Sequence, residues 1–229
     1  MKVKTDLKLS IIMPVYNEEN TIQEALSRVR AVDIDKEIIV VDDHSTDGTL
    51  DILNQTPGIK LYRHDVNMGK GMAIRTALDH IEGDIVVIQD ADLEYYPEDY
   101  PVLIEPIVKG EADAVYGSRF LKGKPQMNPA NYLANRILAV AASILFGTRI
   151  TDEATCYKAF RADLIKAIPL TCRRFEFCPE VTAKILRSGA KIVEVPIRYT
   201  ARTCAQGKKI GWQDGFQALW TLIKFRFVK

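Results

Sequence analysis

Five short β-branched runs recur over the first 120 residues, and each is followed by a segment with helical spacing. The runs are LSIIMPVY at 9–16, EIIVVDD at 37–43, IKLYRH at 59–64, DIVVIQD at 84–90 and DAVYGSR at 113–119. Between them, EENTIQEALSRVR, DGTLDILNQ, GKGMAIRTALDHI and PEDYPVLIEPIVKG set apolar residues at helical intervals behind polar starts. Such alternation leaves few architectures open. It predicts an α/β fold with a Rossmann-like, mostly parallel sheet and helices on both faces. Beyond residue 120 the pattern loosens to a long helix (NPANYLANRILAVAASILF), a short strand (CYKAFR), a helix (PEVTAKILRSG), a strand (KIVEVPIRYT) and a final aromatic segment. No internal repeat or linker marks a second independent domain.

Open sheets of this kind bind ligands at the carboxyl ends of their strands. The polar tails fall at those ends: NEEN after the first strand, DDHSTDGT after the second, DADLE after the fourth and GSR after the fifth. In DADLE, Asp90, Asp92 and Glu94 would share a face if the strand continued extended. Carboxylates so close repel, and a divalent cation would offset the repulsion. The competing reading is a solvated strand end whose acids, with PED following, suit a helix start.

Composition confines any charge function to local clusters. The chain of 229 residues carries 31 Lys plus Arg against 30 Asp plus Glu, so bulk charge gives no ground for nucleic-acid binding. With 47% apolar and 27% charged residues it reads as a globular chain able to bury a large core. Cys156, Cys172, Cys178 and Cys204 lack metal-site spacing, so reduced thiols in a cytoplasmic protein are expected. The first residues do not read as a secretory signal, and ILAVAASILF at 137–146 is too short to span a bilayer. The terminal GWQDGFQALWTLIKFRFVK spaces Trp212, Phe216, Leu219, Trp220, Ile223 and Phe227 as on one helix, beside Lys224, Arg226 and Lys229. That pattern fits a helix packed on the sheet, one lying in a membrane interface, or one doing both.

The segments IIMPVYNEENTI, EIIVVDDHSTDGT, NMGKGMAIRTAL, QDADLEYYPED, YGSRF, TDEATCYKAFR and EVPIRYTARTCAQGKKIGWQDG together resemble the inverting glycosyltransferases of family 2, which have the GT-A fold. The pattern is most similar to the dolichyl- or undecaprenyl-phosphate mannosyl- and glucosyltransferases. The resemblance implies a GT-A domain over residues 1–210 and an appended amphipathic helix over 211–229. It implies that Pro14, Tyr16 and Glu18 wall the nucleotide of a UDP- or GDP-hexose donor, that Asp42 or Asp43 reads the base, and that Lys70 contacts the donor. It makes Asp90, Asp92 and Glu94 the ligands of Mg²⁺ or Mn²⁺. Arg119 and Arg202 become phosphate-binding arginines, with Arg136, Lys208 and Lys209 assisting. Asp152 sits near the acceptor as a base or orienting group, and Asn131 replaces an expected basic or histidine residue.

Two acceptor classes stay open. A hydroxyl must lose a proton as it attacks and needs a base, for which Asp152 is the candidate. A polyprenyl phosphate is already anionic near neutral pH and needs cations instead, which the basic RTCAQGKKIGW stretch favours. A catalytically silent nucleotide-sugar-binding module is the third reading. With a lipid acceptor, the expected place is cytoplasmic and peripheral to the membrane.

Overall fold

The computed structural model describes residues 7–202 and 212–228. Seven strands form one sheet in the order β3-β2-β1-β4-β6-β5-β7. The strands are β1 (Leu9–Val15), β2 (Lys36–Asp42), β3 (Lys60–Arg63), β4 (Ile85–Ile88), β5 (Ala114–Ser118), β6 (Lys158–Arg161) and β7 (Ile192–Pro196). All pairs are parallel except those of β6, which runs antiparallel between β4 and β5. The five predicted strands of the first half are present, each trimmed at its polar end.

β1 lies inside the sheet, where six of its seven residues are buried and most are apolar, so neither face is left for solvent. Its register places Ile11 against Ile38 of β2 and Val87 of β4. The parallel pairing brings the carboxyl ends of β1, β2 and β4 to one edge. At that edge the chain leaves each strand through a left-handed residue that is not glycine: Asn17 (φ 52°), His44 (φ 65°) and Leu93 (φ 62°). Such residues cost energy and cluster where a chain must turn sharply for a site.

The helices are α1 (Ile22–Ala31), α2 (Thr49–Asn54), α3 (Lys70–Leu78), α4 (Tyr100–Val108), α5 (Pro129–Phe146), α6 (Ala162–Ala167), α7 (Phe177–Arg187) and α8 (Trp212–Phe227). The six-residue α6 has too little periodicity to be seen in the sequence. α8 settles against α5 and α7 around a second apolar cluster of Leu138, Ala142, Ile150, Ala218 and Leu222. The terminal segment therefore packs through one side, with Leu222 fully buried, and leaves Phe216, Trp220, Ile223 and Phe227 exposed on the other. Cys156, Cys172 and Cys178 are free thiols, and Cys204 lies outside the described residues.

Candidate active site

A cleft of about 750 Å³ opens along the carboxyl edge of the sheet. Its polar half is lined by Pro14, Tyr16 and Glu18 after β1, Asp43 after β2, Lys70 at the start of α3, the acidic turn after β4, Arg119 after β5 and Arg202 after β7. Its other half is largely apolar, with Ala134, Ile137 and Leu138 of α5, Phe177 of α7, Leu219 of α8 and the loop residue Ala154 among the walls.

The acidic residues do not continue a strand. β4 ends at Ile88, and residues 91–94 form a turn through left-handed Leu93. Asp90, Asp92 and Glu94 all line the cleft, but among the described residues no three acid, histidine or cysteine side chains converge as a preformed metal cluster. The three acids have different surroundings. Both oxygens of Asp90 lie 2.6 and 2.8 Å from Lys70 Nζ. Burial opposes the lysine's charge, but Asp90 overrides it and holds its pKa well above the ordinary range. Glu94 accepts the Arg202 backbone N–H at 2.7 Å and the Tyr199 hydroxyl at 3.0 Å. Among the described residues, Asp92 accepts one bond at its carboxylate, from the Glu94 backbone N–H at 3.1 Å. Burial, then the charges of Asp90 and Glu94, push its pKa up to about 7.

Arg202 ties this turn to the loop after β1. Its Nε donates to the Asp92 carbonyl at 2.6 Å, and its Nη1 and Nη2 donate to the Glu18 carboxylate at 3.2 and 2.6 Å. Gln89 braces the turn from below, donating to the Asp90 carbonyl while accepting the hydroxyls of Tyr100 and Tyr157.

The two candidate base-reading aspartates separate. Asp43 lines the cleft and accepts His64 Nδ1 at 2.7 Å, Met68 N at 2.8 Å and Gly69 N at 2.7 Å. Asp42 is fully buried, does not line the cleft, and accepts Ser45 N with Arg63 nearby. The NMGKG glycines serve a close backbone approach. A Cβ on Gly69, at φ 91°, would meet the Arg173 carbonyl oxygen at 2.5 Å. The first amides of α3 are taken by that same segment: Gly71 N donates to Arg174 O and Met72 N to Arg173 O.

Arg119 and Asp152 form a closed pair. Arg119 donates from its backbone N (2.9 Å), Nε (2.7 Å) and Nη2 (2.7 Å) to the Asp152 carboxylate. Burial opposes the guanidinium charge, yet Asp152 keeps the arginine fully ionised, and Tyr199 lies 5.1 Å beneath it. Asp152 is wholly buried and does not line the cleft, whereas Arg119 does. Arg136 donates to the Thr151 carbonyl and sits over Phe120, and Asn131 lines the cleft. Lys208 and Lys209 lie outside the described residues.

A family profile described as Glycosyl transferase family 2 matches residues 10–168. The chain belongs to that family. This glycosyltransferase is 31% identical to an undecaprenyl-phosphate mannosyltransferase of Micrococcus luteus, over 90% of this chain and 88% of that one. It is also 31% identical to a dolichol-phosphate mannosyltransferase of Pyrococcus furiosus, over 90% of this chain but only 60% of the relative's length. Among solved structures it resembles glucosyl-3-phosphoglycerate synthase of Mycobacterium tuberculosis in complex with Mn²⁺, UDP and phosphoglyceric acid. The TM-score is 0.75 at 21% identity, covering 98% of this chain and 80% of that one. A mannosyltransferase of Pyrobaculum calidifontis in complex with GDP-Man and Mn²⁺ aligns at TM-score 0.61 and 20% identity, covering 96% and 70%. These likenesses establish the GT-A fold of the glycosyltransferase.

Several cleft residues carried no mark in the sequence. Tyr95, Asn67, Arg174 and Tyr199 all line the glycosyltransferase's cleft. Tyr95 and Tyr199 meet through an isolated antiparallel bridge between segments more than 100 positions apart, which no local pattern encodes. Arg174 reaches the cleft because its segment closes on the NMGKG glycines. The glycines were the visible half of that contact.

Proposed function

We propose that this glycosyltransferase moves a hexose from a nucleotide diphosphate sugar to a polyprenyl phosphate with inversion at the anomeric carbon. The observation that carries the acceptor assignment is the Arg119–Asp152 pair. A hydroxyl acceptor needs a positioned base, for which Asp152 is the candidate. Asp152 spends both oxygens on Arg119 and does not line the cleft, while Arg119 does. A guanidinium fixed in this way offers its remaining N–H groups to an acceptor phosphate. Asp152 then acts as a positioning residue. The apolar half of the cleft suits the first isoprene units. The printed names of the relatives, undecaprenyl- and dolichol-phosphate mannosyltransferases, support the same class.

On the donor side, Pro14, Tyr16 and Glu18 would wall the nucleotide. Asp43 would hold the Met68–Gly69 backbone against it and keep one lone pair for the base. Lys70 and Arg202 supply cations for the diphosphate. Asp92 and Asp90 fit Mg²⁺ or Mn²⁺: they are hard oxygen donors, and Asp92 is a charge-frustrated carboxylate with an oxygen that no described residue bonds. A bound divalent ion supplies charge neutralisation for the departing nucleoside diphosphate. Glu94, already bonded to Arg202 and Tyr199, supports the turn. Association with the cytoplasmic membrane face follows from such an acceptor, and no described helix is long and apolar enough to cross a bilayer.

The test is a panel of UDP- and GDP-sugars offered with a short-chain prenyl phosphate, the matching prenol and a sugar acceptor. Transfer to the phosphate and none to the prenol is expected. Equal turnover on prenol or sugar would refute the acceptor assignment.

A further inference from the structure

Exposed large apolar side chains are normally scattered over a surface. Here they are gathered. Of twelve among the described residues, nine lie on α5, α8 and the residue after it. On α5 they are Leu133, Ile137, Val140 and Ile144, and on α8 Phe216, Trp220, Ile223 and Phe227. Both sets step by four, three and four residues, which traces one stripe along each helix. The opposite sides of the same helices hold Leu138, Ala142, Ala218 and Leu222, buried against one another. The stripes are therefore surplus to the packing of the domain. Ile144 is 77% exposed, Phe227 76% and Trp220 64%. The two stripes meet the cleft, because Ile137 and Phe216 also line it.

The charges around this face are mostly cationic, with Asp214 in the first turn of α8 the exception. Residues 120–151 contain Lys122, Lys124, Arg136 and Arg149 and no acid, in a chain whose overall count is 31 cations to 30 acids. Lys122 and Lys124 precede α5, Arg149 follows it, and exposed Lys224 and Arg226 flank the α8 stripe.

We propose that the paired stripes of α5 and α8 dock the enzyme onto an anionic lipid bilayer, with the cleft mouth at the membrane surface. This deepens the lipid-acceptor reading and rests on it for the purpose of the face. An apolar stripe ringed by cations lies in a bilayer interface through burial of its apolar side and attraction of its charges to anionic headgroups. A second copy of the chain is the poorer occupant, because a two-fold interface sets each patch against itself and would bring these cations together. No described helix is long and apolar enough to cross the bilayer, and the proposed contact is made by the two stripes.

The experiment is flotation of the full chain with phosphatidylcholine vesicles, with and without phosphatidylglycerol and with no acceptor present. The wild type should float with the anionic vesicles. Ile144→Glu and Trp220→Glu, neither in the cleft, should each lower the bound fraction by about tenfold. The double variant Lys224→Glu/Arg226→Glu should lose the preference for anionic vesicles. All should keep wild-type turnover on a soluble short-chain prenyl phosphate, which also reports that they fold. Wild type that floats with neither vesicle, or glutamate variants that float as well as wild type, would overturn the proposal. So would a wild-type dimer that Ile144→Glu converts to monomer without any vesicle binding. Flotation without turnover on any prenyl phosphate would leave the docking face standing and remove the acceptor reading.

Discussion

Replacing Asp152 by asparagine changes one atom, yet it removes the partner of a buried guanidinium. Arg119 loses the counter-charge that accepts its backbone N, Nε and Nη2 at 2.7–2.9 Å, and the asparagine amide would turn donors toward donors. Breaking a buried ion pair from one side costs about 3–5 kcal/mol. For a chain of this size each kcal/mol lowers Tm by about 2–4 °C, so a fall of about 6–20 °C is expected. Arg119→Ala removes a charge-assisted bond of about 1.5–3 kcal/mol to the acceptor phosphate, or roughly 10- to 100-fold in turnover. Asp152→Asn should lose a similar factor, because the arginine it aims is no longer held. The double variant should fall little below the worse single, since both damage one interaction. The assay is turnover on a short-chain prenyl phosphate across pH, with melting curves for the three variants. A general base would behave differently: its loss would cost about 10²- to 10⁴-fold and abolish the acid-side limb of the pH profile, while Arg119→Ala kept its own limb. That outcome, or additive losses with native Tm in Asp152→Asn, would refute the positioning role.

Asp92→Asn should abolish transfer and also raise the Tm of the metal-free protein at pH 8. Its folded pKa of about 7 lies above the unfolded value, so the stability this group allows is present below about pH 4 and lost as pH rises through 7. Wild type should gain Tm on adding Mn²⁺ and the variant should not, which differential scanning calorimetry reads; an equal gain in both would remove Asp92 from the metal site. Gly69→Ala should destabilise by more than about 2 kcal/mol in denaturant melts, because the new Cβ meets the Arg173 carbonyl and the backbone is left-handed. Burial pushes the Glu37 carboxyl up, but Lys60, the Ser10 hydroxyl and the Glu82 backbone N–H outweigh it and hold its pKa at about 2. Its contribution, at most about 3 kcal/mol, is present above about pH 4.5 and lost as pH falls toward 2, so Glu37→Gln should flatten the acid limb of stability.

The half of the fold built from local alternation was legible, because a buried parallel strand writes its identity into consecutive residues, as ILE-rich β1 and β4 do with Ile11, Ile12, Ile85 and Ile88. What joined the second half to it was not. β6 takes its antiparallel place between β4 and β5 through pairings such as Val87 with Ala159, and nothing in CYKAFR states a direction. The acidic turn was visible as a cluster but not as a turn, since left-handed Leu93 has no sequence mark of the kind glycine gives. Asp42 and Asp43 were indistinguishable as neighbours in a string. Alternation across β2 separates them, sending Asp42 under Ser45 and leaving Asp43 at the cleft with the Met68–Gly69 amides. The α5 stripe was hidden by the continuous apolar run ILAVAASILF, in which buried and exposed positions look alike until α8 covers one side.

Three cations that line the cleft are already matched with acids, and this bears on how a polyanionic donor could enter. Lys70 rests on Asp90, Arg202 on Glu18 and Arg119 on Asp152. A free cation cluster would be solvated by water that a donor must strip away, whereas a cation already desolvated by a carboxylate has its position set before the diphosphate arrives. Lys70 and Arg202 can trade a carboxylate for a phosphate oxygen at small net cost, but each trade releases an acid, Asp90 or Glu18, into the cleft. Asp90 stands beside Asp92, whose charge is disfavoured even with the lysine in place. Donor entry without a divalent ion would therefore leave two adjacent carboxylates facing a diphosphate. On this reasoning donor affinity and metal affinity are coupled through Lys70, and Lys70→Ala should weaken the donor while easing metal binding to the emptied Asp90.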